Sequence, residues 1–154
     1  MAQTNDGIFL PYDPLVAGEI RILVIRRSKD FSSEIQCHLV HEPLPGKKPY
    51  DALSYTWGTD PPTDCVTING SKTLVRKNLY HALRRFRRKK TERRVWIDAI
   101  CINQSDIDER NSQVGQMRDI YVNAKAVLIW LGADPDGTGD AAFRFIPRLT
   151  RYLK

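Results

Sequence analysis

The spacing of apolar residues divides the chain into a β-rich first half and a second half in which strands alternate with helices. Residues 1–18 are polar or interrupted by proline, and we expect them to lie on the surface as an N-terminal extension. Apolar runs after this extension predict five strands, of which the first two pair antiparallel. Asn69-Gly70 joins the last two and is a strong hairpin signal. The predicted strands cover residues 20–26, 35–39, 52–57, 66–68 and 73–75.

From Asn78 onward the apolar spacing changes to that of helices separated by strands. Apolar residues at i, i+3, i+4 and i+7 from Leu79 predict a helix that Asn78 caps and that runs to about Lys90. A second helix is predicted from Ser105, its N-cap, to about Asn123. Strands are predicted at 95–98 and 127–131, and a last helix is predicted to begin near Asp140.

Strand, helix, strand, helix, strand, helix over residues 52–154 is the order of right-handed βαβ units. We therefore predict a single α/β domain over residues 19–154, with a largely parallel central sheet flanked by helices. The N-terminal β-hairpin extends or flanks this sheet, and the second hairpin lies around Asn69-Gly70. The chain ends at Lys154 inside an apparent helix, which fits either a short protein or a truncated piece of a longer one.

Three predicted strands carry polar residues or glycine at their carboxyl ends, the edge at which open α/β sheets bind ligands. Residues 55–58, residues 98–104 and Gly132 are expected to converge there. Asp98 is a candidate general base or ribose ligand, although capping of backbone amides is the commoner role. Glu109 is a second candidate acid or base, but the helix dipole alone favours an acid in a first helical turn.

Other polar residues near this edge are candidates for binding a ligand or for bracing the loop. Cys101 is a candidate nucleophile only if a histidine lies beside it, and a buried structural thiol is the commoner case. Arg110 and Gln113 share a helix face with Met117, and we expect them to tie down the 98–104 loop. The candidate ligand-binding residues are Ser54, Tyr55, Trp57, Gly58, Cys101, Asn103, Gln104, Arg110 and Gln113.

Positive charge is concentrated in one segment of the chain. The net charge is +6, and residues 72–94 hold eleven Lys and Arg against one acid, Glu92. Such a segment attracts nucleic acid, acidic lipid or an acidic protein, although a solvated helix face is the commoner explanation. A phosphate could also bind where Arg76 and Lys77 precede a helix N-terminus. The candidate anion or partner surface comprises Arg76, Lys77, Arg84, Arg87 and Arg88.

The sequence disfavours several classes of protein. Three widely spaced cysteines fit neither a disulfide scaffold nor a zinc site, and no metal site is predicted. Without a signal peptide or a run of about 18 apolar residues, we expect a cytoplasmic protein with no membrane span. Motifs of P-loop, dinucleotide-binding, α/β-hydrolase and HExxH enzymes are absent from the sequence.

Several segments, in this order, resemble the fungal heterokaryon incompatibility domain, and the resemblance spans about residues 20–135. It implies an intracellular fungal domain for non-self recognition, whose activation causes programmed cell death when genetically different hyphae fuse. The segments that carry it are Tyr50–Gly58, Asn78–Leu83, Trp96–Gln104, Glu109-Arg110 with Gln113, and the closing strand Val127–Gly132.

That family is remotely similar to Toll/interleukin-1 receptor-like domains, whose fold is flavodoxin-like and of which several cleave NAD and many self-associate. The NAD-cleaving members place a catalytic glutamate in a helix after the strand that corresponds to residues 127–131. This chain has no glutamate after Glu109, and only Asp140 lies near that region. The resemblance therefore transfers no catalytic glutamate, and it leaves Asp98 and Glu109 as the candidate substitutes.

These patterns support three functions. The preferred function is a cell-death signalling domain that acts through self-association or by binding another protein. The second is an NAD-hydrolysing enzyme that kills by depletion, with NAD as substrate rather than cofactor, bound as a nucleotide ligand at the strand edge. The third, nucleic-acid binding through residues 84–94, is disfavoured because no recognised nucleic-acid-binding module accompanies the charges.

Overall fold

The computed structural model of the protein describes residues 10–134, which form one seven-stranded sheet with four helices. The first nine residues of the predicted extension and the predicted helix near Asp140 lie outside the described residues. The elements are β1 (Glu19–Ile25), β2 (Gln36–Pro43), β3 (Asp51–Tyr55), β4 (Asp64–Ile68), β5 (Ser71–Val75), α1 (Lys77–Phe86), β6 (Arg93–Trp96), α2 (Asp98–Cys101), α3 (Ile107–Gly115), α4 (Met117–Asn123) and β7 (Ala126–Trp130).

The strand order across the sheet is β5-β4-β2-β1-β6-β3-β7. β6, β3 and β7 are parallel neighbours, as the alternation of strands and helices predicts. β1 runs antiparallel to both β2 and β6, and β4 runs antiparallel to β5. Antiparallel pairings join more residues than parallel ones. The α/β class is therefore confirmed, but the prediction of a largely parallel sheet is wrong because the sheet is mixed and mostly antiparallel.

β1 lies in the middle of the sheet and is buried on both of its faces. Every residue from Ile20 to Ile25 is at most 3% exposed. A strand that is buried on both faces needs neighbours on both sides, and β2 and β6 supply them. The N-terminal hairpin thus extends the parallel strands and becomes the centre of the sheet.

The predicted hairpin around Asn69-Gly70 is confirmed as β4 and β5. Asn69 and Gly70 have φ angles of 52° and 80°, so both turn residues are left-handed. A two-residue turn with positive φ at both positions matches the twist of the flanking strands, and Asn and Gly adopt it at the lowest steric cost.

The first helix differs from its prediction at both ends. α1 ends at Phe86 rather than Lys90 because the backbone of Arg87 is extended, with φ −61° and ψ 133°. Its N-cap residue is Arg76, and the predicted cap Asn78 instead donates its side-chain amide to the carbonyl of Thr56. Tertiary contacts therefore set these boundaries, and the local propensities do not.

The second predicted helix is also changed by the structure. Its cap is Asp106 rather than Ser105, since the Asp106 carboxylate accepts the backbone N–H groups of Asp108 and Glu109. The helix breaks at Gln116 into α3 and α4, directly after the weak helix former Gly115. The predicted strand 95–98 ends at Trp96, and the following residues form the short helix α2.

The core extends along the sheet and includes residues of α1, α2 and α4. Trp96, Ile97, Ile100 and Cys101, at the end of β6 and in α2, are fully buried. The Trp96 ring meets the Tyr121 ring edge-on at 5.6 Å between centroids, which packs α4 against the sheet. Within residues 10–134, no helix has the length and apolar character that crossing a bilayer requires.

Candidate functional site

The carboxyl ends of β3 and β6 meet at the Asp98 side chain. Trp57 Nε1 donates to both carboxylate oxygens, at 3.1 Å each, and the Ala99 backbone N–H donates to Oδ1 at 2.7 Å. Gln104 Nε2 donates to the Asp98 carbonyl at 2.9 Å, which closes the loop back onto α2. Two of the three expected strand ends therefore converge on one carboxylate, which also caps a backbone amide.

Burial controls the acidity of this cluster. It raises the pKa of the Asp98 carboxyl, and the hydrogen bonds from Trp57 and Ala99 partly oppose it. Burial, and then the nearby Asp98 charge, likewise raise the pKa of the Tyr55 phenol. A carboxyl with a raised pKa exchanges a proton closer to neutral pH, so Asp98 retains the capacity for acid–base chemistry.

Asn78 connects the third strand end to this cluster. Its Nδ2 donates to the Thr56 carbonyl at 2.7 Å, and its Oδ1 accepts the indole N–H of Trp130 at 2.8 Å. A Cβ atom added at Gly132 would lie 4.0 Å from the same Oδ1 atom. Asn78 thus links the loops that follow β3 and β7, a function that local sequence spacing could not reveal.

Glu109, the second candidate acid, is bound by Arg21. Arg21 Nη1 lies 2.5 Å from Glu109 Oε1, and Nη2 lies 3.0 Å from Oε2, so the pair is bidentate. The Asn103 backbone N–H also donates to Oε1 at 2.8 Å. We call this group the Arg21–Glu109 latch. Its carboxylate fixes the 98–104 loop to β1, which is a structural function.

Arg21 is a site residue that the sequence interpretation missed. Its side chain is 1% exposed, and it also donates to the carbonyls of Asp13 at 2.6 Å and Cys101 at 3.2 Å. The Tyr12 ring lies 4.7 Å from its guanidinium carbon. A cavity of about 480 Å³ borders the latch. The sequence did contain a signal for this role. Arg21 is a charged residue inside the apolar run 20–26, and a charged residue in a buried strand needs a partner of opposite charge.

The thiol candidate faces the core. Cys101 is fully buried, its Sγ accepts the Ile97 backbone N–H at 3.3 Å, and burial raises its pKa to about 12. A thiol with this pKa is protonated at neutral pH and is a poor nucleophile.

The expected partners on α3 do not brace the 98–104 loop. Gln113 is 3% exposed, but its Nε2 donates to the Glu19 carbonyl in β1, and Arg110 is exposed to solvent. That prediction is therefore wrong, since Glu109 from the same helix holds the loop. Asn103 Oδ1 accepts the Ser105 backbone N–H at 3.2 Å, and Ser54 is exposed on β3.

Much of the basic segment has structural contacts. Arg87 donates to the carbonyls of Asp30, Phe31, Ser33 and Glu34 and to the Ser33 hydroxyl. Arg84 donates to two of the same carbonyls, those of Phe31 and Ser33. These two arginines therefore anchor the loop of residues 30–34 and are not a freely solvated helix face.

The other arginines and the lysine of the predicted anion surface differ in their surroundings. Arg76 Nη1 donates to the carbonyls of Gly58 and Asp60, at 2.7 and 3.0 Å, which ties the start of α1 to the loop after β3. Gly58 has a φ of 77°, a conformation that favours glycine. Arg88 lies 3.9 Å from the Asp51 carboxylate, and Lys77 is exposed.

Comparison with known proteins identifies the family. A family model described as heterokaryon incompatibility protein (HET) matches residues 50–152. The chain belongs to the heterokaryon incompatibility family. Heterokaryon incompatibility protein 6, OR allele, from Neurospora crassa is 30% identical over 155 residues, which cover 88% of this chain. The chain spans only 23% of that relative's length. No solved structure matches the chain.

The segments that carried the resemblance to this family are adjacent in space. The hydrogen bond from Trp57 to Asp98 joins the segments 50–58 and 96–104, and the bond from Asn78 to the Thr56 carbonyl joins the segments 78–83 and 50–58. Glu109 accepts the backbone N–H of Asn103, which joins its helix to the segment 96–104. The family match begins at residue 50, yet the latch takes its arginine from β1. The HET fold of this chain therefore includes the preceding hairpin as a structural component.

Proposed function

We propose that this HET-family chain is a cell-death effector domain of heterokaryon incompatibility that acts by self-association through strand β7. The observation that carries the proposal is an uncharged, apolar edge strand. In the described part of the chain, β7 pairs with β3 alone, so its other side has unpaired backbone groups. Val127, Ile129 and Leu131 are 47%, 68% and 78% exposed.

An edge strand of this composition is unusual for a strand that stays in solvent. Natural sheet edges normally carry lysine, proline or a bulge, because unpaired backbone groups recruit other strands. Residues 126–133 contain neither a charge nor a proline. A contiguous exposed apolar strip next to open backbone groups is typical of a surface that another chain covers.

The composition of β7 favours a second copy of the same chain as the partner. When two copies of β7 pair antiparallel about Leu128, the middle residue of the strand, Ala126 of each copy lies opposite Trp130 of the other, and Val127 lies opposite Ile129. Only uncharged residues then face each other, so the repulsion between like charges that normally keeps an edge strand from pairing with its own copy is absent.

Sedimentation measurements on the chain test this proposal. We expect a concentration-dependent dimer that Ile129→Lys abolishes, because a lysine at the centre of the edge disrupts apolar pairing. Val122→Lys is the matched control, since Val122 is 72% exposed but lies on α4. A wild-type chain that stays monomeric at high concentration, or equal dimerisation of the Ile129→Lys variant, would contradict self-association through β7.

The same pair of variants tests the cellular function. Expression of the chain in hyphae should stop growth or kill the cells, and Ile129→Lys should remove this effect while Val122→Lys preserves it. Killing by a chain that sedimentation shows to be monomeric would point to a different partner or to catalysis.

A second candidate function is cleavage of NAD at the Asp98 cluster. The supporting observation is a carboxyl with a raised pKa, next to Trp57 and Tyr55, at the edge where α/β sheets bind ligands. The assay measures nicotinamide release by the assembled chain. Asp98→Asn should abolish turnover if this carboxyl is the acid or base. Release at an unchanged rate would exclude Asp98, and no release from the assembled wild type would exclude the activity.

A further inference from the structure

A second cavity lies at the other end of the sheet from Asp98. It has a volume of about 410 Å³, and its lining includes Arg26, Arg27, Ser28 and Arg87. Ile25, the last residue of β1, pairs with Arg93, the first residue of β6, so the cavity lies near the amino ends of the parallel strands. It is therefore separate from the Asp98 cluster and from the β7 edge.

Hydrogen bonds within the protein fix the walls of this cavity, so the site is preformed. Arg87 binds four carbonyls of the loop 30–34, and the Ser28 and Ser33 hydroxyl oxygens are 2.7 Å apart. The Ser28 backbone N–H donates to the Arg88 carbonyl at 3.1 Å, which joins this wall to the end of α1. A preformed wall lowers the ordering cost of binding.

Two of the three arginines at this cavity have no partner in the described part of the chain. Arg26 and Arg27 are exposed, and neither guanidinium forms a hydrogen bond or ion pair with residues 10–134. This contrasts with Arg84, Arg87 and Arg93, whose side chains bind other parts of the fold. The exposed pair therefore has donors available for a ligand.

The one acid among the described residues of the lining is already neutralised. Glu34 is bound by the Lys72 ammonium and by the Thr67 hydroxyl, and both contacts lower the pKa of its carboxyl. Glu34 is therefore an anion that is balanced by its own partner, and the cavity retains the positive charge of its arginines. A ligand for this site must be an anion.

We propose that this cavity binds the phosphate group of a small phosphorylated molecule through Arg26 and Arg27. A guanidinium group presents a planar fork of N–H donors that matches two phosphate oxygens, and two such groups suit the double charge of a phosphate. The volume lies in the usual range of small-molecule sites, roughly 300–1,000 Å³. The site lies on loop 26–34 and the end of α1, outside the cluster that bears Asp98.

Calorimetric titration of the chain with inorganic pyrophosphate tests the site. We expect Arg26→Gln with Arg27→Gln to weaken binding by about tenfold or more, since the variant loses the charge-assisted hydrogen bonds of both guanidinium groups. Lys89→Gln with Lys90→Gln is the matched control, because it removes the same charge from exposed positions that do not line the cavity. The control should keep nearly wild-type affinity at 0.15 M salt, roughly physiological.

Two outcomes of this titration would overturn the proposal, and two further measurements accompany it. Equal weakening in both double variants would show diffuse attraction to a basic surface and overturn the proposal, as would a wild-type chain that binds no pyrophosphate. Ile129→Lys should leave pyrophosphate binding intact, which makes this site independent of self-association through β7. Vesicles that contain phosphatidic acid separate the sources: co-sedimentation that needs Arg26 and Arg27 identifies a lipid headgroup, and pyrophosphate binding without vesicle binding identifies a free phosphorylated molecule.

Discussion

Replacing Glu109 by glutamine removes the charge that offsets the buried Arg21 guanidinium. The Arg21 side chain is 1% exposed and that of Glu109 is 12% exposed, so solvent screens the pair only weakly. In the Glu109→Gln variant, the side-chain NH₂ faces an Arg21 N–H, which replaces an attraction by a contact between two donors. Loss of one partner from a buried ion pair costs about 3–5 kcal/mol, and we expect a cost in that range.

Such a loss would be a large part of the total stability, which for a domain is about 5–15 kcal/mol. Urea unfolding followed by tryptophan fluorescence measures it, because Trp96 is fully buried next to the latch loop. With a slope of about 1–3 kcal/mol per molar urea, the midpoint should fall by more than about 1 M.

A control and a double variant make this prediction specific. Glu34→Gln removes a carboxylate from an exposed pair with Lys72 and should leave the unfolding midpoint almost unchanged. Arg21→Met should reduce the cost of Glu109→Gln to below about 1 kcal/mol, because no buried charge is then left unpaired. A Glu109→Gln variant that is as stable as the Glu34→Gln variant would show that the Arg21–Glu109 latch does not stabilise the fold.

Three further predictions follow from side-chain environments. Arg87→Ala should destabilise the fold by about 1–3 kcal/mol, because loop 30–34 loses its hydrogen bonds, whereas exposed Arg85→Ala should not; equal urea midpoints would contradict this. Burial raises the pKa of Asp98 in the folded chain, so its contribution to stability is present below the unfolded pKa and is lost as pH rises through the folded pKa. Asp98→Asn should therefore flatten the fall in the free energy of unfolding over that pH window. The same pH dependence in the variant and the wild type would contradict a raised pKa of Asp98. A thiol reagent should modify Cys65 alone in the native chain and all three cysteines after unfolding, and rapid native labelling of a second thiol would contradict the assigned burial.

Much of the fold could be predicted because its signals are local. Apolar spacing located the seven strands to within a few residues, and Asn69-Gly70 predicted its hairpin because few residues adopt two left-handed angles in succession. The order of strands and helices predicted the parallel set β6, β3 and β7, and with it the meeting of Trp57 and Asp98 at one edge.

Contacts between residues far apart in the sequence could not be predicted in the same way. Arg21 and Glu109 are separated by 88 residues, and their pairing exists only because β1 is inserted beside β6. The end of α1 at Phe86 likewise depends on Arg87, whose contacts lie more than 50 residues away in the loop 30–34.

By itself, the sequence determined the class of the fold, the family and the edge at which the segments shared with that family meet. These follow from short-range periodicity, turn chemistry and motif order. Only the tertiary structure decided the function of each charged residue, because the role of a carboxylate or guanidinium depends on the groups that it contacts in the fold. It assigned Glu109 to a latch and Arg84 and Arg87 to loop anchoring, and it left Arg26 and Arg27 available for a ligand.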